Sequence, residues 1–566
     1  MNFDRPPEGF FFTPGRDSGL WALPGHAPAI TTMEPALIAG FAASRFDTVN
    51  REIEKAVRFA RNTKLAKATL ILHSVPVLME DVHIHDGVCE IGGKYLLSGA
   101  SGTRLRNKYG NKAKPVDGVP EELIAQFLIE NRPGCRLPPY PGSTPPTGIP
   151  IVIEAKNQFN FFHFLTETLP QLCFAAALES DAPILIHPPK GKLAGFPRRW
   201  IDALFPDVAA RVQIVDRPGT YDRAIGLYDI DHYLFQAETG ALPDIDAHFP
   251  ANWPGTGRTP GAQPSAILAA NSVTSEMLAL RERAHALVAK GDFAYLPRRF
   301  WVSRRSGDAA RARPMHNEKK LVRELEKLNF ETVFFEDLAP LEQVAIMARA
   351  EMMISYHGAG FANMLFAGTN THVIEIGHLQ TAILRWHDFM PLAHAAGCKY
   401  TSFFGDLHKP DPEIIPPLRH ENLFPVELSD EGVDQVVGFV ANALGETKRR
   451  KADSDLYRVA ARLNEAKEWE GLWKLLDEYE AEVETSATLL VYRANCVNAQ
   501  GDTAATRAYL ELAWALDQTR APLLERLIKL AQRQKDWPRA RALLRTHKAL
   551  FPSREKDFSG KPLNRP

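Results

Sequence analysis

Apolar and polar positions change rhythm several times along the chain. From Arg299 the pattern is cleanest. "RFWVSRR", "FETVFFE", "EMMISYH", "THVIEIG" and "KYTSFFG" are short apolar runs that read as strands. Between them, "NEKKLVRELEKLN", "PLEQVAIMARA", "GAGFANMLFAG" and "QTAILRWHDFMPLAHAAG" carry apolar residues at helical spacing. Strands alternating with helices over short connections predict a parallel sheet wrapped by helices. A weaker version of the pattern occurs earlier. "PIVIEA" predicts a strand, a long apolar helix begins near Asn160, and "APILIHPP", "RRWIDALF" and "RVQIVD" read as strand, helix and strand. Residues 46–62 predict an amphipathic helix, 68–97 a small set of strands, and 1–45 show no clear period.

Beyond a helix at 429–445 and the charged stretch "TKRRKAD" at 447–453, strand signals vanish and a repeat takes over. Lys467-Glu468-Trp469, Gly501-Asp502-Thr503 and Lys535-Asp536-Trp537 mark helix-to-helix turns 34 residues apart, and Leu475, Tyr509 and Leu543 keep the same step. A step of this length with paired helices is the tetratricopeptide period. With a Pro/Gly-rich linker at 252–266, the organisation expected is an N-terminal α/β unit with a strand-rich start (1–270), a second α/β unit (271–446) and helical repeats (452–553).

Composition narrows the class of protein. The 566 residues carry a net charge of −1, which argues against a basic nucleic-acid footprint. The five cysteines (Cys89, Cys135, Cys173, Cys398, Cys496) lie far apart with no C-x-x-C pair. They read as reduced thiols of a cytoplasmic protein. No run approaches a membrane-spanning length and the start lacks a signal-peptide pattern, so any membrane contact would be peripheral.

In an open parallel sheet, ligands sit outside the carboxyl ends of the strands. Polar groups collect at such ends here: Ser303, Arg304 and Arg305 after one strand, His357, Gly358, Ala359 and Gly360 after another, and Glu375 in a third. Glycines permit close backbone approach, helix N-termini attract phosphate oxygens and arginine offers a planar charged fork. A carboxylate at a strand end suits ribose hydroxyls. The bland alternatives are a tight turn, a solvated arginine pair and a buried carboxylate paired to an arginine. A second group, Asn160, His163 and Glu167, shares one face of an otherwise apolar helix. It reads either as a functional stripe or as a helix cap with a hydrogen-bonded histidine.

Together, "NFFHFLTETLP", "WVSRR" with "NE" following, and "YHGAGFANMLF" with "THVIEIG" resemble the signature blocks of glycosyltransferase family 61, including its bacterial capsular-polysaccharide type. The resemblance spans roughly residues 65–445. Gln171 stands where an Arg is usual, Phe164 where Trp is common and Phe361 in place of Leu. The resemblance implies a GT-B architecture, two Rossmann-like domains across a cleft. It also implies an inverting, metal-independent transferase that moves a sugar from a nucleotide sugar to a glycan acceptor and needs no cofactor. The diphosphate would lie against Gly358–Gly360 with Ser303, Arg304 and Arg305 beside it, and Asn363 and Glu375 would line the donor pocket. His163 and Glu167 are the candidates for the base. His357 would hold the leaving phosphate or only shape the turn.

Two rival functions stand beside this one. One is another polysaccharide-modifying transferase, such as a pyruvyl transferase. The other is a scaffold whose repeats recruit a protein partner or a second copy. Three weaker metal or ligand patterns are read as structural. Asp229-Ile230-Asp231 and Asp244-Ile245-Asp246 are taken as loop carboxylates, His83 and His85 as an exposed strand pair lacking a third ligand, and His387 and His394 as packing residues.

Overall fold

The computed structural model describes residues 9–63, 65–109, 136–155, 157, 159–191, 194–228, 245–248, 267–305, 315–418, 423–444, 455–518 and 520–551. Asp229–Asp231, Asp244, Cys135 and the linkers at 252–266 and 447–453 lie outside them. The described residues form a mixed α/β body with several sheets and a C-terminal helical region.

The strands expected after Arg299 form one parallel sheet. Its order is Glu331–Phe334, Arg299–Ser303, Met352–Tyr356, His372–His378 and Lys399–Leu407. The middle of such a sheet is covered on both faces. His372–His378 is accordingly buried along its whole length. A further parallel strand, Leu37–Ala42, pairs in register with Lys399–Leu407. The N-terminal stretch thus supplies an edge of the second sheet. One strand of the span 1–270 pairs in the second sheet. The helix Asp47–Thr63 follows that strand and packs on the helix Leu379–Leu384.

The first sheet is mixed. Val212–Ile214, Ile184–His187, Ile151–Glu154 and Gly219–Tyr228 run parallel. The strands Val75–His85, Val88–Ile91 and Lys94–Tyr95 then continue it antiparallel. A small third sheet joins Ser272–Thr274 and Ala29–Met33 to the two edges of Thr69–His73.

One apolar cluster joins the two large sheets. It runs from Ile151 and Ile184 through Trp200 and Phe366 to Val373 and Phe404. Trp200 stacks on Phe366 at 6.2 Å between centroids, bridging a helix of the first unit and one of the second. Each such side chain contributes about 1.5–3 kcal/mol by leaving water, so the two sheets are held as one body.

The C-terminal helices keep the 34-residue step in their backbone. Lys467, Gly501 and Lys535, each 34 residues from the next, take left-handed φ of 59°, 81° and 58°. Next to them, Asp502 accepts the amide of Ala505 at 2.9 Å and Asp536 that of Arg539 at 3.3 Å. A left-handed residue followed by an N-capping Asp stops one helix and starts the next. This region packs onto the rest of the chain. Arg61 donates to Glu511 at 2.8 Å, Arg545 pairs with Glu34, and one apolar cluster runs from Ile374 through Val436 to Leu510. No described helix is long and apolar enough to cross a membrane.

Three buried histidines make the fold sensitive to acid. Burial pushes His372 down to about 3 and His378 and His394 down to about 4, with Lys399 adding to the effect at His372. Their hydrogen bonds suit neutral rings. His394 Nδ1 accepts the Ala36 amide at 2.9 Å, and His378 Nε2–H donates to the Phe424 carbonyl at 2.9 Å. An unfolded imidazole titrates near ~6.5, so below that pH the unfolded chain binds more protons and stability falls. The contribution is complete above about pH 6.5 and is lost as pH drops toward the folded values. The loss amounts to about 2 kcal/mol per ring by about pH 5. The melting temperature should therefore fall between about pH 7.5 and pH 5, and by less in His394→Leu, whatever that variant's starting stability. Equal falls in the two proteins would contradict this assignment.

Candidate active site

The first wall of the site comes from the apolar helix near Asn160. Asn160 caps it, its side-chain oxygen accepting the Phe162 amide at 3.0 Å. After Phe161–His163 the backbone widens into a π-turn over Phe164–Thr168, where the Leu169 amide reaches back to the Phe164 carbonyl. Pro170 explains the change. It has no N–H to donate and its ring crowds the preceding turn. Gln171 Nε2–H donates to the Glu167 carbonyl at 2.9 Å, tying the π-turn to the residue after Pro170. Gln171 therefore has a local structural task.

The widened turn sets His163 and Glu167 side by side. His163 Nδ1 lies 2.7 Å from Glu167 Oε1. An ionised carboxylate only accepts, so Nδ1 carries the proton and Nε2 keeps its lone pair. Glu167 also feels the guanidinium of Arg104, a half-buried side chain that donates to the carbonyls of Gly87 and Ala155.

The second wall is built from the carboxyl ends of the second sheet. After Met352–Tyr356 the chain passes His357 and Gly358 and enters a helix of 3₁₀ geometry, Ala359–Phe366. Arg304 crosses from the neighbouring strand, donating to the His357 carbonyl at 2.8 Å, with its guanidinium 4.4 Å from the Tyr356 ring centroid. That guanidinium occupies the space above Gly358. A Cβ at 358 would stand 1.5 Å from Arg304 Nη2. Glycine is thus required for contact rather than for backbone conformation, since Gly358 is extended at φ 166°. Gly360 has no such demand, because a Cβ there would meet only Phe335 at 3.6 Å.

Glu375 takes a different part from the ribose acceptor expected of it. It is fully buried and does not line the cleft. His357 Nδ1–H donates to Glu375 Oε1 at 2.5 Å, while Tyr400 and Ser402 hydroxyls donate to Oε2 at 2.5 and 2.9 Å. The partner is a histidine and not an arginine. The register that pairs Ser355 with Glu375 and Tyr356 with Ile376 brings the carboxylate beneath the imidazole. Glu375 is therefore a positioning residue for His357. Asn363 is also buried and donates to Gln343 at 3.1 Å. Ser303 donates to Glu318 at 2.6 Å. Arg305 pairs with Asp337, stacks on Phe334 and faces solvent. Asn363, Ser303 and Arg305 do not line the cleft, so of the expected donor groups Arg304, His357, Gly358 and Ala359 face it.

The two walls enclose one cleft of about 910 Å³. His163 and Glu167 line it from one side, and Arg304, His357, Gly358 and Ala359 from the other. Aromatic rings form its base and tie the histidines together. Phe162 stands edge-on to His163 at 5.4 Å, packs on Phe389 at 5.7 Å, and Phe389 lies 5.0 Å from the His357 ring. Sequence reasoning missed a third contribution, the loop carrying Arg385, His387, Asp388 and Phe389. It follows the helix after His372–His378, so the carboxyl-end rule applied to that strand would have found it. His387 lines the cleft although it was expected to pack, whereas His394 is buried in the core as expected. Glu276 was missed as well. It lines the cleft, accepts from Ser74 at 2.7 Å and Ser275 at 2.9 Å, and burial raises its carboxyl above the ordinary range.

Residues 161–374 match the family model described as glycosyltransferase 61. This segment belongs to glycosyltransferase family 61. The family-61 segment opens at the first residue of the capped helix and ends one residue before Glu375, so it takes in both walls of the cleft. The match supports a glycosyltransferase activity, which would use a sugar donor and a glycan acceptor. No curated protein matches the chain. The helical region beyond residue 455 lies outside the family-61 segment.

Proposed function

We propose that the protein is an inverting glycosyltransferase that moves a sugar from a nucleotide sugar to a glycan acceptor, without a metal ion, in the synthesis of a capsular or other surface polysaccharide in the cytoplasm. The observation that carries the proposal is the single cleft lined by His163 and Glu167 from one sheet unit and by Arg304, His357 and Gly358 from the other. This facing arrangement favours the GT-B reading of two Rossmann-like units. In the proposed reaction His163 Nε2 takes the proton of the acceptor hydroxyl. The oxygen attacks the anomeric carbon from the side opposite the diphosphate, the bond to the diphosphate breaks, and the configuration inverts. Glu167 fixes the tautomer and balances the imidazolium that forms.

The charge that grows on the departing diphosphate is the largest electrostatic demand of the step. Arg304, the first N–H groups of the helix Ala359–Phe366 and His357 would meet it. These groups, with Arg385 beside them, supply from the chain the positive charge that a divalent ion would otherwise bring. The repeat-bearing helices, which we read as tetratricopeptide-like, would offer their remaining faces to a protein partner or to a second copy.

Melting curves with UDP-, GDP- and CMP-sugars in the presence of a chelator test the donor class. The matching nucleotide should stabilise by about 2.7 kcal/mol at a hundredfold excess over its dissociation constant. If none of the three classes moves the transition, the nucleotide-sugar reading fails, and the pyruvyl-transfer and scaffold readings return.

A further inference from the structure

A second group of ligating side chains lies outside the cleft, on the antiparallel edge of the first sheet. The strands Val75–His85 and Val88–Ile91 form a hairpin through Asp86 and Gly87, whose φ values of 47° and 74° suit a two-residue turn of the type that matches strand twist. Arg104 clamps this turn by donating to the Gly87 carbonyl. The turn fixes the register: His85 opposes Val88 and His83 opposes Glu90. Residues two apart in a strand share a face. His83 and His85 therefore project together and Glu90 meets them from the next strand.

The side chains bear this out. The two imidazoles stack with centroids 4.6 Å apart. Both reach the same carboxylate, His85 Nε2 at 3.1 Å from Glu90 Oε1 and His83 Nδ1 at 3.8 Å from Glu90 Oε2. One ligand atom from each of the three residues lies within 4.8 Å of the others. Behind His85, Asp86 Oδ2 is 3.8 Å from Nδ1. A carboxylate behind the far nitrogen of a metal-binding histidine fixes its tautomer and raises its basicity. The sequence suggested only two ligands, and the third is supplied by the hairpin register.

We infer that His83, His85 and Glu90 form a binding site for one zinc ion. Two imidazole nitrogens and one carboxylate oxygen are a recognised zinc donor set, tetrahedral once a solvent molecule takes the remaining position. That position faces outward, because the His83 side chain is 44% exposed. The ion replaces the His85–Glu90 hydrogen bond with bonds from all three groups to one centre. It cross-links neighbouring strands at the sheet edge. The site is separate from sugar transfer, since none of its residues lines the cleft.

The test uses the full chain, stripped with a chelator and dialysed against zinc, with bound metal counted and cobalt(II) absorption read as a coordination signature. The wild type should take up one equivalent with a tetrahedral cobalt spectrum. His83→Ala and Glu90→Gln should lose both signals, and Asp86→Asn should weaken binding by about tenfold. His83 is partly exposed, so its variant should keep the wild-type circular dichroism and still lose the metal. Uptake should also fall as pH drops, because protons compete for the same nitrogens. The inference is overturned if the wild type binds no zinc. It is equally overturned if His83→Ala binds as the wild type does, which would place the metal on the cysteines or elsewhere.

Discussion

Arg304→Ala should lower kcat/KM for the nucleotide-sugar donor by about 10²–10³-fold, with most of the loss in kcat. Arg304 is the guanidinium that both lines the cleft and braces the His357–Gly358 turn through the His357 carbonyl at 2.8 Å. In the proposed reaction, removing it takes away a charge that would act where the diphosphate leaves, and the loss is greater in a site partly closed to water. Arg304→Lys should recover little, because an ammonium cannot present the same planar fork. Gly358→Ala offers an independent check. Its added methyl would sit 1.5 Å from Arg304 Nη2 and force the guanidinium away. It should reproduce part of the Arg304→Ala loss with the arginine still present, while Gly360→Ala, which has room for the methyl, should retain activity. Initial rates for the four variants measure this. Near-wild-type activity in Arg304→Ala would remove the arginine from the reaction.

His163→Ala should lower kcat by about 10²–10⁴-fold while leaving donor KM little changed, the pattern of a lost general base. In the proposed reaction the 2.7 Å contact divides the roles within the pair. Glu167 holds Nδ1–H, so Nε2 is the nitrogen able to take the acceptor proton. Glu167→Gln leaves the histidine in place but offers it an amide. It should cost less than His163→Ala and change the shape of the pH–rate profile. The opposite order, with Glu167→Gln the more damaging and His163→Ala mild, would make the carboxylate the base. His357 stands on the opposite wall over Glu375 and provides the other comparison. If His357→Ala alone abolished kcat and His163→Ala did not, the proton would be removed from the donor side.

Much of the second sheet was legible because its strands are short apolar runs separated by amphipathic helices. "MMISY" and "HVIEIGH" sit where the pattern placed them. The edge strand Leu37–Ala42 was not legible. Its partner, Lys399–Leu407, lies more than three hundred residues away in the chain, and neither its residues nor its flanks announce a parallel pairing. Glu375 shows a different limit. A carboxylate inside a fully buried strand must find a partner, yet a strand covered on both faces has no alternation to say which side it faces. Only the register with Met352–Tyr356 puts it under His357. The face shared by His163 and Glu167 was visible as a helical stripe. The π-turn that seats it follows from Pro170, whose effect on the backbone does not show in a hydrophobic pattern. Arg305, Ser303 and Asn363 illustrate how nearness in sequence misleads. Arg304 turns inward, while its neighbour Arg305 is 60% exposed and paired with Asp337.

The central claim is that one cleft seats a sugar nucleotide with its diphosphate on the Arg304–Gly358 wall and its sugar toward His163. A crystal structure with the nucleoside diphosphate selected by the melting screen tests this most directly. The diphosphate should lie against the backbone of Gly358 and Ala359 and within hydrogen-bonding reach of Arg304, with the space between it and His163 left for sugar and acceptor. A diphosphate bound outside this cleft, or bound within it away from Arg304, would contradict the account.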